Sequence, residues 1–211
     1  MSEPSGDKLV ALIRHGHGHH NPRSCSCRWL CNICCLKDSP LTEIGHDQAR
    51  ALHDRLHENS RDPLHTVEVI ISSPLSRCIE TTVTVFRDSK APRCVSNLHT
   101  ERCIGRCDCG VSRQELATKF ADAGIDKWEG FQDLPEVWWP NDRSCCQELK
   151  PLDRVNAFKQ KLLERSEKRI AVVGHAGFFG ILTGHHMNNC EALWIRLSSS
   201  GDVVIVTESE L

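Results

Sequence analysis

The sequence contains no tyrosine, and Phe, Trp and Tyr together make up only 5% of its 211 residues. It has no apolar run that approaches the length of a membrane span, and its start, MSEPSGDK, lacks the apolar core of a signal peptide. Strong charge is also missing, because 26 basic and 28 acidic residues leave a formal net charge of −2. We therefore expect a cytoplasmic chain with neither a membrane nor nucleic acid as its partner, and no phenolic acid–base group.

Cysteine and histidine are unusually abundant, with 13 and 12 residues respectively. Cytoplasmic thiols are normally reduced, and an odd number of cysteines cannot pair completely within one chain. Nine of them form two clusters: Cys25, Cys27, Cys31, Cys34 and Cys35, then Cys94, Cys103, Cys107 and Cys109. Their spacing is compatible with structural zinc or redox-active disulfides, although cysteine used as a small apolar residue is favoured.

Short apolar runs alternate with amphipathic segments along the chain. Strands are predicted at residues 8–13, 65–71, 94–98, 169–173, 192–197 and 202–207. Helices are predicted at residues 42–59, 76–86, 112–123, 151–165 and 178–186, and histidines 46, 53 and 57 are expected on the solvent face of the first. This alternation predicts an α/β fold, a three-layer α/β/α sandwich with a mostly parallel central sheet.

The length favours a single domain over residues 1–211, large enough to bury a core without disulfides. Residues 1–7 are expected to form a polar tail, and residues 22–39 a Cys-rich insertion. Residues 124–150, with Trp128, Phe131, Trp138 and Trp139, are interpreted as a lid or insertion. Packing is favoured over substrate contact for these aromatic side chains.

Three predicted strands end in residues that often carry chemistry. Arg14 and His15 close the first strand, Arg77 begins the helix after the second, and His175 follows the strand at 169–173. Ligands of open α/β sheets bind beyond the carboxyl ends of the strands, so these side chains are expected to converge. Two guanidinium groups and two imidazoles suit an anionic tetrahedral group, and an imidazole can also act as a nucleophile.

Four ordered segments carry a resemblance to a known family: LIRHG at residues 12–16, PLTEIGHDQA at 40–49, SPLSRCIETT at 73–82 and VGHAG at 173–177. Together they resemble the motifs of the histidine phosphatase superfamily, also called phosphoglycerate mutase-like, from about residue 8 to 186. RHGHGHHN at residues 14–21 is similar to the R-H-G-x-G-x-H-N variant of plant and fungal mutase-like proteins.

The resemblance implies roles for individual residues. His15 would be the nucleophile that becomes phosphorylated, with Arg14, Arg77 and His175 completing the catalytic phosphate pocket. Because the arginines and a charged His175 would neutralise the phosphate oxygens, no metal ion and no other cofactor is expected.

Two further residues follow from the same resemblance. Asn21 matches an asparagine that contacts the phosphate, and Glu101, in the segment ERCIG, would be the general acid and base. Some members of the family use instead an Asp directly after the His of the VGHAG motif. That acid is absent here, because Ala176 follows His175.

Three functions remain compatible with these residues. The favoured one is a metal-independent phosphomonoester hydrolase that acts on a small phosphorylated substrate. A phosphoglycerate mutase-like phosphotransferase is the alternative, although no R-R-S segment of the mutase type occurs between Gly110 and Pro140. A non-catalytic phosphate- or zinc-binding interaction module is the third, against which the complete set of pocket residues argues. The sequence leaves the substrate and the oligomeric state open.

Overall fold

One six-stranded sheet organises the protein. The structure is a computed structural model that describes residues 6–21, 36–102, 105–139, 151–207 and 210–211. The strands are Lys8–Arg14 (β1), Val69–Ser72 (β2), Arg93–Val95 (β3), Arg169–Gly174 (β4), Ala192–Leu197 (β5) and Val203–Ile205 (β6). Their order is β3-β2-β4-β1-β5-β6, with the first four parallel and β5 antiparallel to both its neighbours. The predicted α/β fold with a mostly parallel sheet is confirmed.

Five α-helices connect the strands in the described ranges: Glu43–Glu58 (α1), Ser76–Val85 (α2), Arg113–Lys119 (α3), Pro151–Leu163 (α4) and Ala176–Thr183 (α5). Start signals in the sequence account for two of them. The Thr42 side chain accepts a hydrogen bond from the Gly45 N–H before α1, and Ser112 with Glu115 forms a complete capping box before α3. No helix in the described part of the chain is long and apolar enough to cross a membrane.

Alternation along the strands produces the layers. Successive side chains of a strand point to opposite faces, so Val10 and Leu12 of β1 pack on one side of the sheet and Ala11 and Ile13 on the other. The first face is covered by apolar residues of α4 and α5, and the second by those of α1 and α2. Because β1 and its neighbour β4 are covered on both faces, they are apolar throughout their centres.

The predicted boundaries of several elements differ from the structure, including strand 202–207, of which only β6 forms. Predicted strand 65–71 is instead a 3₁₀ turn at Pro63–Thr66 followed by β2, because Pro63 and the Asp62 cap on the Leu64 N–H start a helical turn. Predicted helix 112–123 ends at Lys119, before a second 3₁₀ turn and Gly124 at φ +62°. Predicted strand 94–98 is shorter in the structure and forms β3 at Arg93–Val95. Predicted helix 178–186 begins and ends earlier, at Ala176–Thr183 (α5).

The aromatic segment packs as a small core of its own. Trp128, Phe131 and Trp138 are buried with apolar residues of α2 and α3, which supports the packing interpretation. Residues 140–150 of this segment and residues 22–35 of the Cys-rich insertion lie outside the described residues, as does the tail up to residue 5. Among the described cysteines, Cys78, Cys94, Cys107 and Cys190 are free thiols, and the first three are buried.

The histidines of α1 were expected on its solvent face, which is wrong for one of them. His53 is only 3% exposed, because its ring turns towards the end of α2 and its Nδ1 lies 3.1 Å from the Val85 carbonyl oxygen. His46 is partly buried and His57 is exposed. Helical spacing alone assigns His53 to a face, but the neighbouring helix covers that face.

Candidate active site

Two adjacent parallel strands bring the paired histidines together. Arg14 at the end of β1 lies opposite Gly174 at the end of β4, so His15 and His175 leave the sheet side by side. The His15 N–H continues the strand ladder by donating to the Gly174 carbonyl over 3.0 Å. The two imidazole centroids are 5.2 Å apart in an edge-to-face arrangement.

The His15 ring is buried, and one of its two nitrogens is hydrogen-bonded. Its Nδ1 lies 2.7 Å from the Gly16 carbonyl oxygen, which assigns the proton to Nδ1 and leaves the lone pair on Nε2. Burial is the main cause that lowers the pKa of His15 well below 6.5, and Arg77 and His20 add to it. Neutral imidazole is the form that can attack as a nucleophile.

Two glycines let the loop after β1 pack tightly on α1. A Cβ at Gly16 would lie 2.6 Å from the Gly45 carbonyl oxygen, and a Cβ at Gly45 would lie 2.2 Å from the His17 carbonyl oxygen. The Gly16 N–H also donates to Thr81 Oγ1 of α2 over 3.0 Å. Residues of the LIRHG, PLTEIGHDQA and SPLSRCIETT motifs therefore meet beside the His15 ring.

Arg77 is the most buried cation of the site, with 0% of the residue exposed. Its guanidinium donates to the Cys107 carbonyl and to Asp108 Oδ1, each over 2.8 Å, and Nη2 lies 3.3 Å from His175 Nδ1. Burial opposes the charge of Arg77, but Asp108 and weaker contributions from Cys78 and Glu101 outweigh it and raise the pKa. The guanidinium therefore stays charged in this site.

His175 is held by a donor on one side and an acceptor on the other. Because the Arg77 guanidinium can only donate, His175 Nδ1 accepts from it, and Nε2 donates to Ser73 Oγ over 2.9 Å. Burial, followed by Arg77 and His15, lowers the pKa of His175 well below 6.5. The charged His175 that we expected is thus disfavoured in this structure, because no carboxylate among the described residues contacts its ring to offset the burial and the positive charge of Arg77.

Arg14 carries an unused donor. Its Nη1 donates to the Met187 carbonyl over 2.8 Å, whereas its Nε is buried without a hydrogen-bond partner among the described residues. The Nε of Arg77 is also buried and has no hydrogen-bond partner among the described residues. Buried N–H donors are normally hydrogen-bonded, so two orphaned guanidinium donors at one edge of the sheet suit an anionic ligand.

Glu101 lies against the start of α5. Its Oε2 accepts from the Gly177 N–H over 3.1 Å, and its Oε1 accepts from the Arg102 N–H over 2.8 Å. A Cβ at Gly177 would come within 2.2 Å of Oε1, so glycine is needed for this approach. Because Gly177 follows His175 by two residues, the structure brings Glu101 to the same edge as the paired histidines.

Asn21 is held in a tight turn. Its Oδ1 accepts from the Gly18 N–H over 2.7 Å, and its own N–H donates to the Gly18 carbonyl over 2.9 Å. The side-chain oxygen therefore supports the loop after β1. The amide Nδ2 is the group through which Asn21 could reach a phosphate oxygen.

Sequence reasoning missed two residues of the site: Asp108 pairs with Arg77, and Ser73 accepts from His175. The sequence places His20 beside the nucleophile, and its ring lies 5.4 Å from that of His15. Burial, together with the positive charge of Arg77, lowers the pKa of His20 to about 2. Ser73 stands inside the SPLSRCIETT motif, but nothing in the sequence around Asp108 indicates its partner.

Removing the Asp108 carboxylate should destabilise the protein strongly. Asp108→Ala leaves the charged Arg77 buried with no carboxylate, which typically costs about 3–5 kcal/mol. Asp108→Asn should cost less, because its amide oxygen still accepts a hydrogen bond. Urea denaturation followed by circular dichroism measures the difference, with the exposed Asp122→Ala as control. Equal midpoints for Asp108→Ala and the wild type would contradict the inferred role of this ion pair.

The protein has an α/β fold with paired histidines and arginines at the carboxyl edge of its parallel strands, an arrangement suited to binding an anionic ligand. The chain belongs to the histidine phosphatase superfamily (branch 1), whose family model matches residues 10–208. The resemblance drawn from the sequence motifs is therefore confirmed at the level of the superfamily.

Some proteins similar to this chain are named as mutases or mutase-like proteins, and others as phosphatases. The chain is 27% identical to a phosphoglycerate mutase-like protein of Arabidopsis thaliana, over 90% of this chain and 79% of that one. It is 26% identical to the probable phosphoglycerate mutase PMU1 of Saccharomyces cerevisiae, over 81% of this chain and 69% of that one. Its fold is similar, with a TM-score of 0.58 and 20% identity, to a putative alpha-ribazole-5'-P phosphatase from Escherichia coli, over 95% and 96% of the two chains.

Proposed function

We propose that this protein is a metal-independent phosphomonoester hydrolase that works through a phosphohistidine on His15. The observation that carries the proposal is the convergence of a neutral His15, His175 and the charged Arg77 within one buried cluster. The orphaned Nε donors of Arg14 and Arg77 support an anionic ligand there. Membership of the histidine phosphatase superfamily supports the same class of chemistry.

In the first step, the Nε2 lone pair of His15 attacks phosphorus. The N–P bond forms while the bond between phosphorus and the ester oxygen breaks, and the leaving oxygen takes a proton from Glu101. Phosphoryl transfer depends on positioning and on stabilising charge at the phosphoryl oxygens. Arg14, Arg77 and the Nδ2 of Asn21 supply the donors, and Nδ1–H of His15 stays bonded to the Gly16 carbonyl.

In the second step, water replaces the histidine. The Glu101 carboxylate accepts a proton from the water, the new P–O bond forms, and the N–P bond breaks to regenerate His15 and release orthophosphate. Glu101 then carries the proton that it gave up in the first step, so the cycle closes. Its position beside the Gly177 N–H supports one carboxyl group serving as acid and then as base.

A metal ion is not needed in this scheme because the chain supplies the positive charge itself. A bound phosphoryl dianion also introduces negative charge beside His175, which opposes the burial and the Arg77 charge that lower its pKa. We therefore propose that His175 gains a proton on Nδ1 when the substrate binds, and that Arg77 Nη2 then donates to a phosphoryl oxygen instead of to Nδ1. This reconciles a neutral ring in the structure with a cationic ring during transfer.

The full-length protein incubated with p-nitrophenyl phosphate and excess EDTA tests the proposal. We expect one orthophosphate for each p-nitrophenol released, at the same rate with and without EDTA. Loss of activity in EDTA would overturn the metal-independent scheme. No turnover of this substrate or of a panel of sugar phosphates, phosphoglycerates and phosphoproteins would favour the non-catalytic interaction module instead.

Phosphotransfer between hydroxyl groups is the second candidate, and the names of the plant and yeast relatives favour it. Both functions share the phosphohistidine and differ only in whether water or a second hydroxyl accepts the phosphoryl group. The ratio of orthophosphate to isomerised phosphoglycerate separates them. We expect orthophosphate to predominate, and a predominance of isomerised product would replace hydrolase by mutase.

A further inference from the structure

A second cluster of ionisable side chains lies at the opposite edge of the sheet from His15. His53 and His57 stand four residues apart near the end of α1, and Asp88 follows the end of α2. Asp88 Oδ2 lies 3.3 Å from His53 Nε2 and 3.2 Å from His57 Nε2. The three ligand-type atoms all lie within 4.8 Å of one another.

These separations are close to the edges of a small coordination polyhedron. Zinc binds imidazole nitrogen and carboxylate oxygen at about 2.0–2.2 Å, and tetrahedral geometry then separates neighbouring ligand atoms by about 3.3–3.6 Å. The two distances to Asp88 Oδ2, 3.3 and 3.2 Å, lie at the short end of this range, and the ligand atoms of His53 and His57 lie within 4.8 Å of each other. Two imidazoles one helical turn apart plus a carboxylate from a second element is a donor set that zinc prefers.

The tautomer of His53 points to a ligand. Its Nδ1 lies 3.1 Å from the Val85 carbonyl, an acceptor, so Nδ1 carries the proton and Nε2 presents a lone pair. His53 Nε2 is buried with no hydrogen-bond partner among the described residues, and it faces the Asp88 oxygen. Two lone-pair-bearing atoms at this distance repel each other unless a cation or a proton lies between them.

The surroundings leave room for a fourth ligand. The cluster lines a cavity of about 590 Å³ together with Ser60 and His65. His65 uses its Nε2 on the Leu56 carbonyl, and Lys90 also lines the cavity. Further out, Arg87 Nε lies 3.7 Å from Asp88 Oδ2, and Arg87 Nη2 lies 3.9 Å from Asp54, so this arginine shares its charge between two carboxylates. The cavity has room for a water molecule as a fourth ligand.

We propose that His53, His57 and Asp88 bind a zinc ion that joins the end of α1 to the turn after α2. The site is separate from the phosphohistidine chemistry, because α1 and α2 begin near the catalytic edge and reach this cluster only at their ends. Its function is structural: bound zinc favours the folded state by mass action and should raise the melting temperature.

The test counts bound zinc in the intact, reduced chain by equilibrium dialysis against Zn²⁺. Thiols of this Cys-rich protein are expected to contribute a background, so the comparison is between matched variants. His57→Ala and Asp88→Asn remove exposed ligands, whereas His186→Ala and Asp122→Asn remove an exposed imidazole and carboxylate outside the cluster. Circular dichroism confirms that each variant folds.

We expect the wild type and both controls to bind one more zinc ion per chain than His57→Ala or Asp88→Asn. The zinc-induced rise in melting temperature should shrink in the same two variants. Phosphatase activity should be equal in His57→Ala and in the wild type. Identical zinc stoichiometry in all five proteins would overturn the site and identify a protonated His53 paired with Asp88.

Discussion

His15→Ala should hydrolyse p-nitrophenyl phosphate at least about 10⁴-fold more slowly than the wild type, because no other group replaces the lost nucleophile. The neighbouring imidazole of His175 uses both nitrogens, one with Arg77 and one with Ser73. His20 Nδ1 is committed to Ser39, 3.2 Å away. Steady-state release of p-nitrophenol measures the loss of turnover, and labelled phosphate trapped on the protein in alkali-stable, acid-labile form measures the loss of the phosphohistidine.

The matched control for this variant is His186→Ala, which removes an exposed imidazole outside the site. His15→Ala deletes a buried ring and its bond to the Gly16 carbonyl, so a lower melting temperature is expected with an unchanged circular dichroism spectrum. His15→Asn fills more of the space and provides a second inactive variant. A folded His15→Ala protein with more than about a hundredth of wild-type activity would exclude the nucleophilic role.

Glu101→Gln should slow the hydrolysis of alkyl phosphates about 10²–10⁴-fold, but should slow the hydrolysis of aryl phosphates by no more than about tenfold. An alkoxide is a poor leaving group and needs a proton in the transition state, whereas p-nitrophenolate leaves without one. Glutamine retains the size and the oxygen acceptor that Glu101 offers to the Gly177 N–H, so the change isolates proton transfer. The measurement is kcat/KM for a series of phosphomonoesters of increasing leaving-group pKa.

Glu58→Gln, an exposed carboxylate on α1, is the matched control and should leave the leaving-group dependence unchanged. Equal losses of Glu101→Gln on alkyl and aryl substrates would remove Glu101 from the acid role. That result would assign Glu101 instead to positioning the start of α5. It would leave the nucleophilic role of His15 untouched, so the two predictions fail independently.

The main elements of the fold were predictable because the responsible signals are local. The apolar run before Arg14 and the run before Gly174 each predict a buried strand, and Thr42 and Ser112 mark helix starts by capping that the structure confirms. The order of the six strands was not predictable. Local strand propensity does not predict that β4 lies between β2 and β1. This strand order is what brings His15 beside His175.

The partners of the site residues were also beyond sequence reasoning. Arg77 meets Asp108 across 31 residues of sequence, and His53 meets Asp88 across the ends of two helices. No periodicity links such positions, because the intervening chain sets their distance. The same long-range packing corrected His53 from an exposed residue to a buried one.

By itself, the sequence determined the superfamily, the α/β class and the set of residues at the strand ends, since these depend on local composition and ordered motifs. Only the tertiary structure decided the electrostatic state of those residues. The lowered pKa of His15 and of His175 follows from burial and from the charge of Arg77, and both depend on the way distant strands and helices pack. The zinc-type cluster at the far edge arises for the same reason, because packing alone brings α1 and the turn after α2 within ligand distance.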